Sequence, residues 1–313
     1  MLNNVYNKDF LNNNLPDKCA NLIIADPPYY KVKGDFDFIW KNFDDYLEDV
    51  EKWAIECKRI LADNGTLFWY GDAKNIAYTQ IIFDKHFNLL NSIVWENTNQ
   101  AKQSMVNVGE YRSFPPLTER ILMYSNEQYN LTQCIYHIRN YIRAEIIKAK
   151  GKIILKQVNE ALGTATNGGG VASACLSLDK TEPIMFTKEM YQKLQMWCKP
   201  YLTKEYEELR KEYEELRRPF NNYLHLGDVI RLPNYETSKY DHDTIKPEKL
   251  TRILITTCSR KNDLVVVPFS GSGTECAMAA KENRNFIGFD IEPKYVDMAN
   301  KRIEQHKAQQ RLF

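Results

Sequence analysis

The strongest constraint on this chain is a strand that is made to stop. Asn21-Leu22-Ile23-Ile24-Ala25 is a short apolar run rich in β-branched residues and reads as a buried parallel strand. Asp26-Pro27-Pro28-Tyr29 follows at its carboxyl end, which is where open α/β sheets place their ligands. The two prolines have fixed φ and no N–H, so the carbonyls around them are held rigid and are not consumed by a helix. A carboxylate, a fixed carbonyl and an aromatic face then converge on one point. Taken alone, the quartet also reads as a strand that simply ends in a proline turn.

A second strand near the other end of the chain gives it company. Val265-Val266-Val267 runs into Pro268-Phe269-Ser270-Gly271-Ser272-Gly273-Thr274, and a helix from Glu275 to Glu282 comes next. Glycines let the backbone approach a ligand, and a helix start offers unpaired N–H groups to a carboxylate. The following strand, Asn285-Phe286-Ile287-Gly288-Phe289-Asp290, ends in an acid about 20 residues past the glycines, the position from which a ribose diol is held. A lone glycine loop is weak evidence; the loop, the acid and the upstream quartet together are strong.

The bulk properties exclude several classes without choosing one. A length of 313 residues with 43% hydrophobic and 12% aromatic content suits one large domain and a smaller one. No apolar run approaches bilayer length and the polar start is no signal peptide, so a cytoplasmic protein with no membrane partner is expected. Seven scattered cysteines without a C-x-x-C pair argue against disulfides and against a metal site. A net charge of +1 means that any polyanion must be met by a local patch.

Between the two motifs the apolar spacing predicts a helix over 44–61, a strand over 66–70, a helix over 73–87 and strands over 89–95 and 119–124, a succession that implies a doubly wound sheet. Residues 30–43, which interleave Lys31 and Lys33 with aromatics, read either as a mobile flap or as a loop pinned by those aromatics. From about 131 to 240 helical patterns dominate. Here Arg139, Arg143, Lys148, Lys150, Lys152 and Lys156 stand against the single acid Glu145, the basic patch that the net charge hides. Helices over 153–162 and 171–178 are compatible with helix-turn-helix packing, and Thr187 caps a helix running through Leu194. Two near-identical heptads over 205–218 place Tyr206, Leu209, Tyr213 and Leu216 in one stripe, supported by Glu207–Lys211 and Glu214–Arg218 pairs. Two heptads are too few for a coiled coil, so a helix docked on the smaller domain is favoured over a dimer contact.

The quartet resembles the D/N/S-P-P-Y/F motif of enzymes that methylate exocyclic amino groups with S-adenosyl-L-methionine, and its aspartate form resembles the adenine-N6 DNA methyltransferases. Pro268 to Thr274 resembles the D-P-F-x-G-x-G-T motif, and Asp290-Ile291-Glu292-Pro293-Lys294-Tyr295 the (E/D)-I-x-P-x-Y motif, of the β group of this N6/N4 family. Val267 replaces the leading aspartate, and Glu275 is the nearby acid that stands in for it as a hypothesis. His242 to Leu250 resembles H-P-T-Q-K-P-x-x-L, matched at Thr244 and Lys246 but not at Asp243 or Ile245. Phe186 to Leu194 is similar to a Pro-Thr-x-x-x-Tyr-x-x-Leu segment in the insertion of phage-type members, with Phe186 in place of the proline. Asp9 matches the acid of the family's opening Gly-Asp, near the cofactor's adenine, and is equally an ordinary N-cap.

The resemblance implies an α/β, Rossmann-like S-adenosylmethionine-dependent methyltransferase sheet in circularly permuted motif order, with a mainly helical inserted target-recognition domain. Residues 1–130 would form the catalytic part, 131–240 the insertion and 241–313 the cofactor-binding part. Asp26, Pro27, Pro28 and Tyr29 are the implied catalytic residues. Asp9, Asp26, Thr244, Lys246, Pro268, Phe269, Ser270, Gly271, Gly273, Thr274 and Asp290 are implied around the cofactor. Lys31, Lys33 and the six cations of 139–156 are expected on double-stranded DNA. A homodimer and a cognate restriction endonuclease are further partners that the family allows. Rival readings are a cytosine-N4 DNA methyltransferase, a methyltransferase of RNA or of protein amides, and a DNA-binding protein whose cofactor site has decayed at Val267. The order of motifs, quartet before glycine loop, counts against the RNA and protein enzymes.

Overall fold

The computed structural model describes residues 2–32, 35–99, 114, 116–126, 131–166, 170–179, 184–235 and 245–310. The chain divides into two compact units, one of residues 1–128 with 219–313 and one of residues 129–218.

The first unit is an eight-stranded sheet of β1 (Asn4–Asn7), β2 (Ala20–Ala25), β3 (Leu61–Gly71), β4 (Phe87–Asn97), β5 (Thr118–Asn126), β6 (Val229–Leu232), β7 (Leu264–Val267) and β8 (Asn285–Asp290). Their order is β1-β8-β7-β2-β3-β5-β4-β6. Strands β1, β8, β7, β2 and β3 are mutually parallel, and β5 is antiparallel to both of its neighbours. The alternating succession predicted doubly wound crossovers throughout. Within that sheet β4 and β5 pair as antiparallel neighbours.

The strands are apolar on both sides because both faces are covered. Leu22 and Ile24 of β2, Phe68 and Tyr70 of β3, and Val265 and Val267 of β7 join one core. Three helices cover that face: α8 (Glu248–Cys258), α9 (Thr274–Lys281) and α10 (Pro293–Gln310). The intervening Ile23, Ala25, Leu67, Trp69 and Val266 join the opposite core, covered by α1 (Phe43–Ile60) and α2 (Ile76–Phe83). Helix α1 starts at Asn42, whose side chain accepts from the Asp45 amide at 2.9 Å, and it carries Asp44 and Asp45 in its first turn and Lys58 and Arg59 in its last, each charge placed to complement the helix dipole.

The second unit packs α3 (Leu131–Lys150), α4 (Leu155–Leu162), α5 (Gly170–Leu176), α6 (Lys188–Trp197) and α7 (Tyr206–Leu216) around Ile138, Ile142, Ile146, Val158, Leu162, Leu176, Tyr191, Leu194 and Leu209. Thr187 caps α6 by accepting from the Met190 amide at 3.3 Å. Helix α7 buries Leu209, with Tyr206 and Tyr213 against the same core, so it docks through three of its four stripe residues, while Leu216 is 41% exposed. Its ion pairs differ from those read off the heptads. Glu207 reaches Lys188 at 2.7 Å, and the i,i+4 pairs are Arg210–Glu214 and Lys211–Glu215. This unit ends at Arg218 rather than at 240, because Val229–Leu232 pairs in parallel with β4.

Candidate active site

Strands β2 and β7 are parallel neighbours with Leu22 opposite Val265 and Ile23 opposite Val266. That register puts the quartet and the glycine loop side by side at the carboxyl edge of the sheet. The adjacent β7–β8 and β1–β8 pairings bring Asp290 and Asp9 to the same edge.

Around Asp26 three further polar side chains meet. Lys246, 220 residues away in sequence, places its ammonium 2.6 Å from Asp26 Oδ2. The same nitrogen lies 3.2 Å from Glu119 Oε2. The Tyr29 hydroxyl donates to Asp26 Oδ1 and lies 3.4 Å from Glu119 Oε2. Lys246 is 3% exposed and sits over the rings of Tyr29 and Tyr70 at 5.6 and 5.1 Å. Burial by itself would lower its pKa, but the carboxylates of Asp26 and Glu119 outweigh burial and hold it charged, above an ordinary lysine. Burial and then the neighbouring carboxylates push both tyrosine hydroxyls well up, so both stay neutral at any physiological pH. Glu119 is likewise raised, by burial against the opposing pull of Lys246.

The backbone of the quartet is pinned from two sides. The Tyr29 amide donates to Asp37 Oδ1 at 2.6 Å, and Asn75 donates to the carbonyls of Tyr29 and Tyr30. Tyr30 stacks on Tyr46 at 5.7 Å, and Trp40 meets Tyr46 at 5.0 Å and Trp53 at 6.2 Å. The described part of 30–43 is therefore held by its aromatics. Lys31 is exposed there, with its ammonium 4.9 Å from the Tyr30 ring. Lys33 and Thr244 lie outside the described residues.

The glycine loop is built around Asp290, whose Oδ2 accepts from the Gly271 amide at 2.8 Å and whose Oδ1 accepts from the Glu292 amide at 2.9 Å. Phe269 closes the loop's other side with its ring 4.9 Å from Trp53. Ser270 has a buried hydroxyl that makes no hydrogen bond among the described residues, the kind of group a bound ligand satisfies. Asp9 sits beside this loop and spends Oδ1 on the Leu11 amide at 2.9 Å, the N-cap role. Underneath, Arg302 is 1% exposed and donates to Thr274 Oγ1 and Glu248 Oε1, each at 2.7 Å. It thereby ties α10 to the loop and to the start of α8. Arg302→Met is expected to cost about 2–3 kcal/mol, less than a fully buried pair because Glu248 keeps 25% exposure. It should also weaken cofactor binding about tenfold, read by urea unfolding and ligand titration.

Val267 points into the apolar core below the edge, and Glu275, on the first turn of α9, is buried. Glu275 accepts from the Thr251 hydroxyl at 3.3 Å. Burial first, and then the charge of Asp26, push its carboxyl up to about 7. Unfolded, the group releases its proton near 4.5; folded, it keeps it to about 7, so this contribution to stability is complete below 4.5 and is lost as pH rises through 7. Glu275→Gln is therefore expected to gain stability over the wild type between pH 5 and pH 8, by about 2–3 kcal/mol at the upper end, measured by urea unfolding.

In the helical unit the cations divide. Arg139, expected on phosphates, is instead 6% exposed and donates to the Ser177 carbonyl at 2.8 Å, while Arg143 donates to the Leu176 carbonyl. Both cap the end of α5, whose last carbonyls lack partners of their own. Lys148, Lys150, Lys152 and Lys156 are exposed, Lys148 beside Glu145 and Lys150 over the Trp197 ring at 4.7 Å.

A parallel sheet with a reversed strand near one edge, a glycine loop and acid at its carboxyl edge, and an acidic quartet on the neighbouring strand define the class of S-adenosylmethionine-dependent methyltransferases. The profile described as DNA methylase, the N6/N4 methyltransferase family, matches residues 20–301, and the chain belongs to that family. It is 26% identical to the type II methyltransferase M.HinfI of Haemophilus influenzae over 94% of this chain and 65% of that protein. It is 25% identical to the DNA adenine methyltransferase YhdJ of Escherichia coli K12 over 93% of this chain and 78% of that one. Among solved structures, the M1.HpyAVI–SAM complex superposes with a TM-score of 0.52 at 17% identity, covering 96% of this chain and 98% of the other. The chain thus spans about two thirds of the length of M.HinfI.

Proposed function

We propose that this protein is a DNA adenine-N6 methyltransferase that uses S-adenosylmethionine. The observation that carries the reading is the β2–β7 pairing, which sets Asp26 beside the glycine loop. The residues present fit the cofactor: Asp290 and the Gly271 backbone for the ribose end, the unsatisfied Ser270 hydroxyl and the ring of Phe269 along the loop, and Asp9 at the rim. Bound there, S-adenosylmethionine supplies a methyl group on a sulfonium, ready for in-line displacement.

The protein's own part is orientation and polarisation. The amine lone pair of adenine is delocalised into the ring, so N6 is a poor nucleophile until acceptors engage its N–H bonds. Asp26 and the rigid Pro27 carbonyl are those acceptors, Pro28 fixes the turn, and Tyr29 offers its face to a base flipped from the duplex. Lys246 donates to Asp26 and holds it in place. The Asp26 carboxylate would receive the proton that N6 gives up as the C–N bond forms, with the C–S bonding pair left on the cofactor's sulfur as a thioether.

The family spans N6 and N4 enzymes; adenine is favoured by the aspartate form of the quartet and by the name of YhdJ. Duplex DNA as partner puts the exposed Lys148, Lys150, Lys152 and Lys156 of the helical unit on phosphates and makes that unit the target-recognition region. A type II setting is supported by the name of M.HinfI, a cytoplasmic location and a restriction partner are part of the same proposal, and among the described residues no helix is long and apolar enough to cross a membrane. The test is transfer of labelled methyl from S-adenosylmethionine to unmodified DNA, with RNA in parallel and mass analysis of the nucleosides. N6-methyladenine in DNA is the expected product; N4-methylcytosine, or label in RNA alone, overturns the assignment.

A further inference from the structure

Both oxygens of Asp26 are already engaged, Oδ1 by the Tyr29 hydroxyl and Oδ2 by the Lys246 ammonium at 2.6 Å. An amine that must bond to Asp26 competes with two donors that drain charge from the acceptor it needs. Lys246 cannot turn to water, since only 3% of its side chain is exposed, so if it loosens from Asp26 it needs another carboxylate. Glu119 on β5 stands at that spot, with Oε2 at 3.2 Å from the Lys246 nitrogen and 3.4 Å from the Tyr29 hydroxyl. The same two donors therefore face two acceptors. A shift of roughly half an ångström, about the difference between a long and a short hydrogen bond, carries the ammonium from one to the other, and a larger one carries the hydroxyl.

We propose that Glu119 is a positioning residue of methyl transfer: it takes over the Lys246 ammonium and the Tyr29 hydroxyl as Asp26 turns to the amine of the incoming base. The inference rests on the function proposed above. Glu119 keeps Lys246 paired throughout and lets Asp26 present an undivided acceptor. The charged and titratable groups that face it are Asp26 and Tyr29 after β2, Tyr70 on β3 and Lys246 before α8, with Glu275 of α9 beyond Tyr70. Burial raises the Glu119 carboxyl, and a proton there removes the alternative acceptor while Lys246 stays on Asp26.

The test compares wild type, Glu119→Gln and Glu119→Ala at saturating DNA and S-adenosylmethionine. Glu119→Ala is expected to lower kcat about 100-fold and Glu119→Gln, which retains a neutral acceptor, about tenfold. Cofactor Kd and unfolding midpoint should stay near wild type in both. Wild-type kcat rises with pH as Glu119 ionises, above the usual carboxylate range, and that limb is absent from Glu119→Gln. A wild-type kcat in Glu119→Ala overturns the proposal, as do parallel losses of kcat, cofactor affinity and unfolding midpoint, which mark a scaffold role. A readout without turnover separates this from the functional reading: hydrogen exchange of the ¹⁵N-labelled Lys246 ammonium without DNA. Faster exchange in Glu119→Gln supports the shared lysine, and unchanged exchange sinks it. If wild type leaves DNA unmethylated, the functional assignment falls, while the lysine exchange still decides the role of Glu119.

Discussion

Replacing Asp26 with alanine is expected to lower methyl transfer by about 10²- to 10⁴-fold while S-adenosylmethionine still binds. The size follows from what Asp26 does at the edge of the sheet: it is the charged acceptor for an amine whose lone pair is otherwise spent on the ring. The remaining acceptor, the Pro27 carbonyl, is neutral and cannot compensate. The fold should tolerate the change, because Asp26 lies past the end of β2 and Lys246 keeps Glu119 at 3.2 Å. Asp26→Asn keeps an oxygen but loses the charge and should fall between the two. Initial rates with labelled cofactor, a cofactor titration and nucleoside analysis check this together. Wild-type rates in Asp26→Ala would remove the quartet from the chemistry.

Gly273→Ala should strike the fold and the cofactor loop at once. Gly273 has φ +75°, and a Cβ there would lie 2.5 Å from the Ala299 Cβ and 2.7 Å from the Ala299 Cα of α10. The neighbour is backbone as well as side chain, so it cannot rotate away. The glycine itself is held by its amide donating to the Ser270 carbonyl at 2.7 Å and by its carbonyl accepting from the Ala277 amide at 2.9 Å. Left-handed strain and overpacking together are expected to cost about 2–4 kcal/mol. Cofactor affinity should fall with stability, since the loop and the start of α9 move as one. Urea unfolding and cofactor titration of the same preparation measure both, and a variant with wild-type values in each would show that the loop is free to shift.

Much of the fold was legible in local pattern. The helical spacing of Tyr46, Val50, Trp53, Ala54 and Cys57 became the buried side of α1, and Leu22 to Ala25 became a strand covered on both faces. The heptads of α7 located its buried stripe through Leu209 but not its ion pairs, because on a short docked helix Glu207 finds Lys188 from another element. The basic run from 139 to 156 was read as one patch, yet Arg139 is buried, Arg143 is half-buried on the Leu176 carbonyl, and only the four lysines are exposed. Whether an arginine meets a phosphate or the last carbonyls of a neighbouring helix is a matter of which helix lies beside it, and charge counting carries no such information.

The site divides the same way. Sequence by itself determined that Asp26 to Tyr29 and Pro268 to Gly273 each end a buried strand, because prolines and glycines act on their own backbone whatever surrounds them. It could also single out Asp290 by its spacing from the glycines, and Lys246 through the resemblance of its segment to the family's H-P-T-Q-K-P-x-x-L motif. Only the tertiary structure decided that the two strands are neighbours, that Lys246 spans 220 residues to reach Asp26, and that Glu119 completes the cluster. Glu119 opens an ordinary apolar strand, and an acid in that position signals nothing until the strand's direction is known. Because β5 runs antiparallel to β3, its amino-terminal end lies at the carboxyl edge of the parallel strands. Strand order and direction are set by which hydrophobic faces the whole chain buries together, an interaction between distant segments that no local pattern contains.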